Sequence, residues 1–229
     1  MPKGKLIVLE GLDGSGKETQ SKLLVSHLKS TKSEKVKRIT FPDYESDGSA
    51  PIKMYLNGEI LPNPVDVNPY AASILYAADR YISFTKELKS YYDQGYILIA
   101  DRYTSSNLLY QGAKFDDFND LKSFVDWAID LEQTKLGLPE PNVTIYLQSD
   151  LQTVSKILNS RKSRNSSKTD IHENSQKLQE NAFAIARKLS ELLKWEVINI
   201  TEQKGNSEYE WRSHQDIFND IVNIINKYL

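Results

Sequence analysis

The sequence predicts an α/β fold: a three-layer sandwich of about five mostly parallel strands with helices on both faces. Short apolar runs recur along the chain, and stretches with helical spacing of apolar residues separate them. No Gly/Ser-rich or Pro-rich linker divides the 229 residues, so we expect a single domain over residues 1–229. The apolar runs, each expected to be a buried strand, are residues 6–9, 36–41, 97–100, 143–147 and 197–200.

The stretches between these runs have the spacing of amphipathic helices. Strands separated by helices of this length form βα units, so the sheet is expected to be parallel and covered on both faces. The predicted helical stretches are residues 19–28, 70–92, 118–131, 178–193 and 211–228. The polar, basic segment 159–174 has few apolar anchors and is predicted to be a mobile surface loop.

The composition excludes several classes of protein. A net charge of -2 provides no broad cationic field for nucleic acid or anionic lipid. The chain has no Cys and three His, which excludes disulfides and thiolate nucleophiles and argues against a zinc site. No segment approaches the ~20 apolar residues of a membrane span. We therefore expect no nucleic-acid partner, no membrane partner and a cytoplasmic location.

A glycine-rich motif lies between the first predicted strand and the first predicted helix. Residues 11–17 match G-x-x-x-x-G-K in the strand–turn–helix context of a phosphate-binding P-loop. The glycines let backbone N–H groups wrap a phosphate, and the lysine adds a point charge. The motif predicts a P-loop NTPase fold and an ATP-binding segment made of Gly11, Leu12, Asp13, Gly14, Ser15, Gly16, Lys17, Glu18 and Thr19.

Glu18 departs from this motif, because the residue after the motif's lysine is normally Ser or Thr, whose hydroxyl ligates Mg²⁺. Three interpretations stay open. Glu18 points outward and the ion relies on phosphates, water and other carboxylates; Glu18 contacts the ion; or catalysis is impaired. We favour the first interpretation because the rest of the predicted site is intact.

The third predicted strand ends in the dipeptide Asp101-Arg102. An Asp at the carboxyl end of a parallel strand lies at the crevice where ligands bind in open α/β sheets. The guanidinium beside it can fork onto a phosphate. A surface ion pair is the alternative for the dipeptide alone, so neighbouring motifs have to decide between the two.

Four segments, taken together, resemble thymidylate kinases. In the family's order they are residues 10–17, 75–80, 101–112 and 137–142, and the resemblance extends from residue 6 to about residue 200. It implies transfer of the γ-phosphoryl group of ATP to dTMP, with Mg²⁺ as cofactor and dTDP as product. It also implies a homodimer, because many members of the family are dimeric.

The resemblance also implies roles for individual residues. Tyr76 stacks on thymine and Arg80 hydrogen-bonds the ring. Tyr110 crowds the 2′-carbon, and Asp13 approaches the 3′-hydroxyl. Lys17 and Arg102 contact the phosphates as catalytic residues, and Asp101 is the catalytic anchor for the metal. The complete dTMP-binding set implied in this way is Asp13, Tyr76, Arg80, Arg102, Ser106, Asn107, Tyr110 and Gln111.

Members of this family take a further catalytic arginine from the P-loop or from a mobile lid. Gly14 occupies the P-loop position here, so the resemblance assigns the arginine to a lid at about residues 159–174. Arg161 and Arg164 are the catalytic candidates, and the sequence does not choose between them. His172, near the end of this segment, is expected to be structural or exposed and not catalytic.

Two departures keep alternatives open. Many relatives carry an arginine near the position of Tyr44 that holds the acceptor phosphate, and none is present here. The chain could therefore be a related deoxynucleotide or deoxynucleoside kinase. It could also be a regulatory P-loop protein that binds nucleotide but whose catalysis is impaired by Glu18.

The lid assignment predicts that Arg161→Ala or Arg164→Ala lowers turnover by ~10²-fold or more while dTMP affinity stays nearly unchanged. The reason is that a charge contact made only in the transition state is lost. Steady-state kinetics of the two single variants and the double variant test this. Turnover equal to that of the wild type in all three variants would show that the lid assignment is wrong.

Overall fold

The computed structural model describes residues 3–150, 153, 171–204 and 208–229; the predicted lid arginines, Arg161 and Arg164, lie outside these ranges. Its centre is a five-stranded sheet of order β2-β3-β1-β4-β5 in which every neighbouring pair is parallel. This confirms the predicted parallel sheet. The strands are β1 (Lys5–Glu10), β2 (Val36–Thr40), β3 (Ile97–Asp101), β4 (Val143–Gln148) and β5 (Glu196–Asn199).

Helices cover both faces of this sheet. The described helices are α1 (Lys17–Thr31), α2 (Ala50–Leu56), α3 (Pro69–Ser83), α4 (Lys89–Asp93), α5 (Thr104–Gly112), α6 (Phe118–Ile129), α7 (Ile171–Asn174), α8 (Gln176–Leu193) and α9 (His214–Ile225). A π-helical segment, Phe84–Leu88, joins α3 to α4, and a second, Asp130–Lys135, extends α6.

The alternation of side chains along β1 produces the three layers. Ile7 and Leu9 pack in a buried cluster with residues of α1 and α9. Leu6 and Val8 point to the opposite face, where they pack with residues around α4. A further cluster joins α5, α6 and α8. Because both faces of β1 are buried at its centre, residues 6–9 form a continuous apolar run instead of alternating between apolar and polar residues.

The C-terminal region differs from the predicted helix over residues 211–228. A two-stranded antiparallel hairpin, β6 (Thr201–Lys204) and β7 (Glu208–Trp211), precedes α9. The helix begins later because Ser213 caps it: the Ser213 Oγ accepts a hydrogen bond from the backbone N–H of Asp216 at 3.0 Å. Trp211 therefore belongs to a strand, and the prediction of a helix there was wrong.

The strand order determines where ligands can bind. Leu9 of β1 lies opposite Asp101 of β3 in the parallel register, so the P-loop and the Asp101-Arg102 dipeptide leave the sheet side by side. This edge is where open α/β sheets bind ligands. Among the described residues, no helix combines the length and apolar character needed to cross a membrane.

Candidate functional site

The glycines of the P-loop are required by its backbone shape. Gly16 has φ 85°, a left-handed conformation that residues with a Cβ rarely adopt. At Gly11, a Cβ would lie 2.5 Å from the Ser15 Oγ and 2.8 Å from the Leu147 carbonyl oxygen. The loop therefore packs closely against β4 while its backbone stays free of side chains that would block a phosphate.

Lys17 folds back onto this loop. Its Nζ donates hydrogen bonds to the carbonyl oxygens of Gly11 and Leu12, both at 2.8 Å. Burial and the nearby Arg102 guanidinium lower the pKa of Lys17 to about 8. The ammonium group is thus held where a bound phosphate would replace the carbonyl oxygens as its partner.

Asp13 connects the P-loop to three other parts of the chain. Its carboxylate pairs with Arg102 and accepts hydrogen bonds from the Tyr110 hydroxyl at 2.9 Å and the Gln179 amide at 3.0 Å. Burial would raise the pKa of Asp13, but Arg102, Lys17 and these hydrogen bonds outweigh it and hold the pKa well below its ordinary value. Asp13 is therefore a fixed negative charge among these cations.

Arg102 occupies a strained position. Its backbone has φ 69°, in the left-handed region that non-glycine residues rarely occupy. Beneath it lies Glu10, fully buried, whose carboxylate accepts hydrogen bonds from the Ser105 and Ser106 hydroxyls, each at 2.7 Å. One Arg102 nitrogen is 3.9 Å from the Glu10 carboxylate. The strained backbone thus aims a guanidinium between two carboxylates, a feature typical of functional sites.

Asp101 is held by an arginine that the sequence did not indicate. Arg38 of β2 donates to the Asp101 carboxylate at 2.7 Å and to the Ser21 hydroxyl of α1 at 2.7 Å. No sequence motif marks Arg38, which lies in the middle of β2. Arg38 therefore fixes the orientation of the predicted metal ligand from the neighbouring strand.

Glu18 extends into solvent. Its carboxylate accepts a hydrogen bond from the Lys22 ammonium at 2.7 Å, one helical turn along α1, and its side chain is 67% exposed. The Lys22 hydrogen bond and charge lower the pKa of Glu18. This placement agrees with the interpretation in which Glu18 points outward.

One cavity of about 530 Å³ lies beside the carboxyl ends of β1 and β3, and we call it the acceptor cavity. All the residues of the predicted dTMP-binding set line it: Asp13, Tyr76, Arg80, Arg102, Ser106, Asn107, Tyr110 and Gln111. Residues that are up to 98 positions apart in the sequence therefore meet around one space. Lys53 is exposed and lies outside this lining.

Three buried amide atoms in this lining have no hydrogen-bond partner within the described part of the chain. They are Nδ2 of Asn107 and both Nε2 and Oε1 of Gln111. A buried polar group left in this state costs about 1–3 kcal/mol, so such groups normally have a partner. Together they offer two donors and an acceptor to a ligand in the acceptor cavity.

Arg80 is engaged in a buried ion pair. Its Nε and Nη2 donate to the two oxygens of Glu132 at 2.6 and 2.5 Å, and the Thr104 hydroxyl donates to the same carboxylate at 2.7 Å. Burial opposes the charge on Arg80, but Glu132 raises the pKa of the guanidinium. Glu132 lies in the π-helical segment after α6, where no sequence motif indicated it.

His172 is buried, and not exposed as one of the two expectations had it. Its Nε2 is 2.7 Å from the Tyr55 hydroxyl, and its ring centroid is 5.2 Å from that of Tyr110. Burial and the Lys114 ammonium lower the pKa of His172 to about 3. The neutral imidazole therefore supports the wall of the acceptor cavity, consistent with a structural role.

A second cavity, of about 620 Å³, opens over the P-loop, and we call it the donor cavity. Its lining includes Gly14, Gly16, Lys17, Glu18 and Thr19 of the predicted ATP-binding segment. Asp13, Glu18, Asp101 and Arg102 line both cavities. Groups bound in the two cavities would thus face each other across these residues.

A metal ion in this site would take most of its ligands from the bound substrates and water, because the part of the chain that the structure describes supplies few. Among the described residues, no group of three or more His, Asp or Glu side chains is arranged to hold a metal ion. Asp101 offers one carboxylate at the junction of the cavities. Mg²⁺ in nucleotide sites commonly takes one or two carboxylates together with phosphate oxygens and water, so this donor set fits that ion.

The chain is similar in sequence and in structure to thymidylate kinases. Residues 9–209 match the family model described as thymidylate kinase. The thymidylate kinase of Homo sapiens is 32% identical over 156 residues, which cover 67% of this chain and 65% of that protein. A protein of Thermococcus onnurineus (strain NA1) named "Probable thymidylate kinase" is 30% identical over 224 residues, 96% of each chain. The solved structure of thymidylate kinase from Candida albicans superposes with a TM-score of 0.71 at 24% identity, covering 98% of this chain and 92% of that one.

We predict that Glu132→Gln lowers the free energy of unfolding by about 3–5 kcal/mol, because Arg80 would remain charged and buried without its partner. Urea denaturation followed by circular dichroism measures this. The matched control is Glu191→Gln, which removes the same charge from an exposed pair with Arg187 and should cost less than about 1 kcal/mol. Equal losses in the two variants would contradict the prediction.

Proposed function

The chain belongs to the thymidylate kinase family, and we propose that it transfers the γ-phosphoryl group of ATP to dTMP where its two cavities meet. Family membership makes the chain a nucleoside monophosphate kinase that phosphorylates dTMP. The proposal concerns how it does so: dTMP binds in the acceptor cavity, and the phosphates of ATP bind on the P-loop in the donor cavity.

The polar lining of the acceptor cavity is the observation that carries this proposal. Nδ2 of Asn107 and the whole side-chain amide of Gln111 have no hydrogen-bond partner among the described residues, which suits a ring that carries both carbonyl oxygens and an N–H group. Glu132 neutralises Arg80, so this region of the cavity suits an uncharged base and not a second phosphate. Thymine meets both requirements. Tyr76 in the same lining supplies an aromatic face for the base.

The Asp13–Tyr110 hydrogen bond supports the selection of a deoxyribose. The Tyr110 hydroxyl donates to Asp13, and the Tyr110 ring packs against the His172 ring. A ring held at both points has little freedom to move away from an added 2′-hydroxyl. Rejection by a fixed steric contact is an effective way to exclude a larger ligand.

Phosphoryl transfer needs positioning and neutralisation of charge more than covalent chemistry. An oxygen of the acceptor phosphate forms the new P–O bond, and the bond between the γ-phosphorus and the β,γ-bridging oxygen breaks. A phosphate monoester is largely dianionic at pH 7, because its second pKa is about 6, so the attacking oxygen needs no general base. Lys17 and Arg102 neutralise the phosphates, and Arg102 lines both cavities.

Asp101 is the residue proposed to hold Mg²⁺. The ion would supply charge neutralisation at the β- and γ-phosphates. Arg38 donates a hydrogen bond to one oxygen of the Asp101 carboxylate and so restricts how that carboxylate can turn toward the donor cavity. Arg38 is thereby a positioning residue, since it acts through Asp101.

We also propose a homodimer and a cytoplasmic location. The dimer is supported by exposed apolar side chains on one face of α3, at Tyr70, Ile74 and Tyr81, of which Ile74 is 51% exposed. The location is supported by the absence of Cys from the chain.

The test of this function is an ADP-release assay with dTMP, dUMP, dGMP and thymidine as acceptors, titrated with Mg²⁺. We expect the highest kcat/KM with dTMP, dependent on Mg²⁺, and a loss of about 10²- to 10³-fold in Lys17→Ala and in Arg102→Ala. A higher kcat/KM for another acceptor would overturn the assignment of dTMP. ATP binding with negligible turnover would instead indicate a regulatory protein.

The pKa of Lys17 predicts a pH dependence. Its folded value of about 8 lies below the ordinary value of 10.5, so the free enzyme loses this cation as the pH rises through about 8. The value of kcat/KM for ATP should then fall by up to about tenfold per pH unit. Lys17→Arg keeps its charge and should lack this decline, whatever its absolute activity. A decline at the same pH in both proteins would rule out Lys17 as its origin.

A further inference from the structure

The hairpin β6–β7 places an aromatic side chain at the donor cavity. Trp211, the last residue of β7, lines this cavity together with His214, the first residue of α9. Its indole is 40% exposed. The other two tryptophans are partly buried and pack on tyrosine rings: Trp127 lies 4.7 Å from Tyr70 and Trp195 lies 6.2 Å from Tyr146, measured between ring centroids. Trp211 is thus an exposed aromatic residue in the lining of the donor cavity, beside the P-loop.

Backbone and side-chain bonds hold this tryptophan in place. Trp211 pairs with Thr201 across the hairpin. The next residue, Arg212, donates its backbone N–H to Ile200 at 3.0 Å and its guanidinium to the Asn199 carbonyl and the Asp220 carboxylate, each at 2.7 Å. The base of the hairpin is therefore anchored to β5 and α9, which fixes the backbone of Trp211 at the donor cavity.

A further hydrogen bond ties this region to the P-loop helix. The Gln20 amide of α1 donates to the His214 carbonyl oxygen at 3.1 Å. Gln20 is three residues beyond Lys17 and is buried. The aromatic side of the donor cavity and its cationic side are thus joined through α1.

The donor cavity therefore has two chemically different parts. Lys17 and Arg102 with the P-loop backbone suit phosphates, whereas Trp211 offers an apolar π face. A polyphosphate alone would use only the first part, and a nucleoside triphosphate would use both. We propose that Trp211 is the platform on which the base of the donor nucleotide stacks. This inference rests on the proposed function and adds a residue that determines how the donor is bound.

Stacking on an indole needs only the face of a base and not a particular pattern of hydrogen bonds. By alanine substitution, base–aromatic stacking is worth a change in affinity of about 5- to 150-fold per base. Trp211 does not touch the reacting phosphates in this arrangement. Its removal should therefore weaken ATP binding and leave the transfer step intact.

The first experiment is steady-state kinetics of Trp211→Ala. We expect KM for ATP to rise by about 5- to 150-fold, kcat to change by less than about twofold, and KM for dTMP to stay unchanged. Trp211→Phe should recover most of the ATP affinity. The matched control is Tyr209→Ala, an exposed aromatic residue of the same strand that does not line the cavity. An unchanged KM for ATP in Trp211→Ala would overturn the proposal.

The second experiment separates the base from the phosphates. Inorganic tripolyphosphate, which has no base, should inhibit the wild type and Trp211→Ala with the same inhibition constant. Equal weakening of tripolyphosphate and ATP would mean that the substitution disturbed the P-loop, and would overturn the proposal. In a Trp127→Phe, Trp195→Phe variant, ADP should quench the emission of Trp211 and tripolyphosphate should not.

These binding measurements do not require turnover. If the wild type failed to phosphorylate dTMP, the proposed function would fail while ADP quenching of Trp211 still supported the platform. If the wild type phosphorylated dTMP but Trp211→Ala bound ATP normally, the platform alone would fail. The two hypotheses are therefore tested separately.

Discussion

The ion pair between Asp13 and Arg102 is the interaction on which the rest of this site depends. It joins the P-loop that follows β1 to the turn that follows β3, at the place where these adjacent strands leave the sheet. Arg102 is mostly buried, and burial alone would oppose its charge. Asp13 compensates for that cost and in turn receives hydrogen bonds from Tyr110 and Gln179. One carboxylate therefore orders four separate stretches of chain.

This pair also explains why the two cavities form one reaction site. Because Asp13 and Arg102 line both spaces, the donor and acceptor sides share a wall of opposite charges. The small net charge of -2 fits this arrangement, since anionic ligands are met by a few placed cations among carboxylates. Two further residues restrict the charged groups of the Asp101-Arg102 dipeptide. Arg38 pairs with the Asp101 carboxylate, and the Glu10 carboxylate lies beside the Arg102 guanidinium.

Much of the fold could be predicted because its signals are local. Buried parallel strands are apolar runs, and the P-loop is a contiguous motif, so both are legible in one sequence. The residues that line the acceptor cavity are scattered in the sequence, and it was the resemblance to a known family that predicted them as one binding site. Glu132 and Arg38 could not be predicted, because their partners lie 52 and 63 residues away and no local pattern marks such pairs. The sequence predicts a helix from Trp211 onward because the helical spacing of apolar residues in the following segment extends to this position, which the structure places at the end of β7.

The most direct test of this account is a double-mutant cycle on kcat/KM for dTMP phosphorylation, comparing the wild type with Asp13→Ala, Arg102→Ala and the double variant. If Asp13 and Arg102 act as one unit, removing the second partner should cost much less once the first is gone, with a coupling energy of about 0.5–3 kcal/mol. The double variant would then be little worse than the poorer single variant. Losses that simply multiply would show that the two residues act independently and would contradict the account.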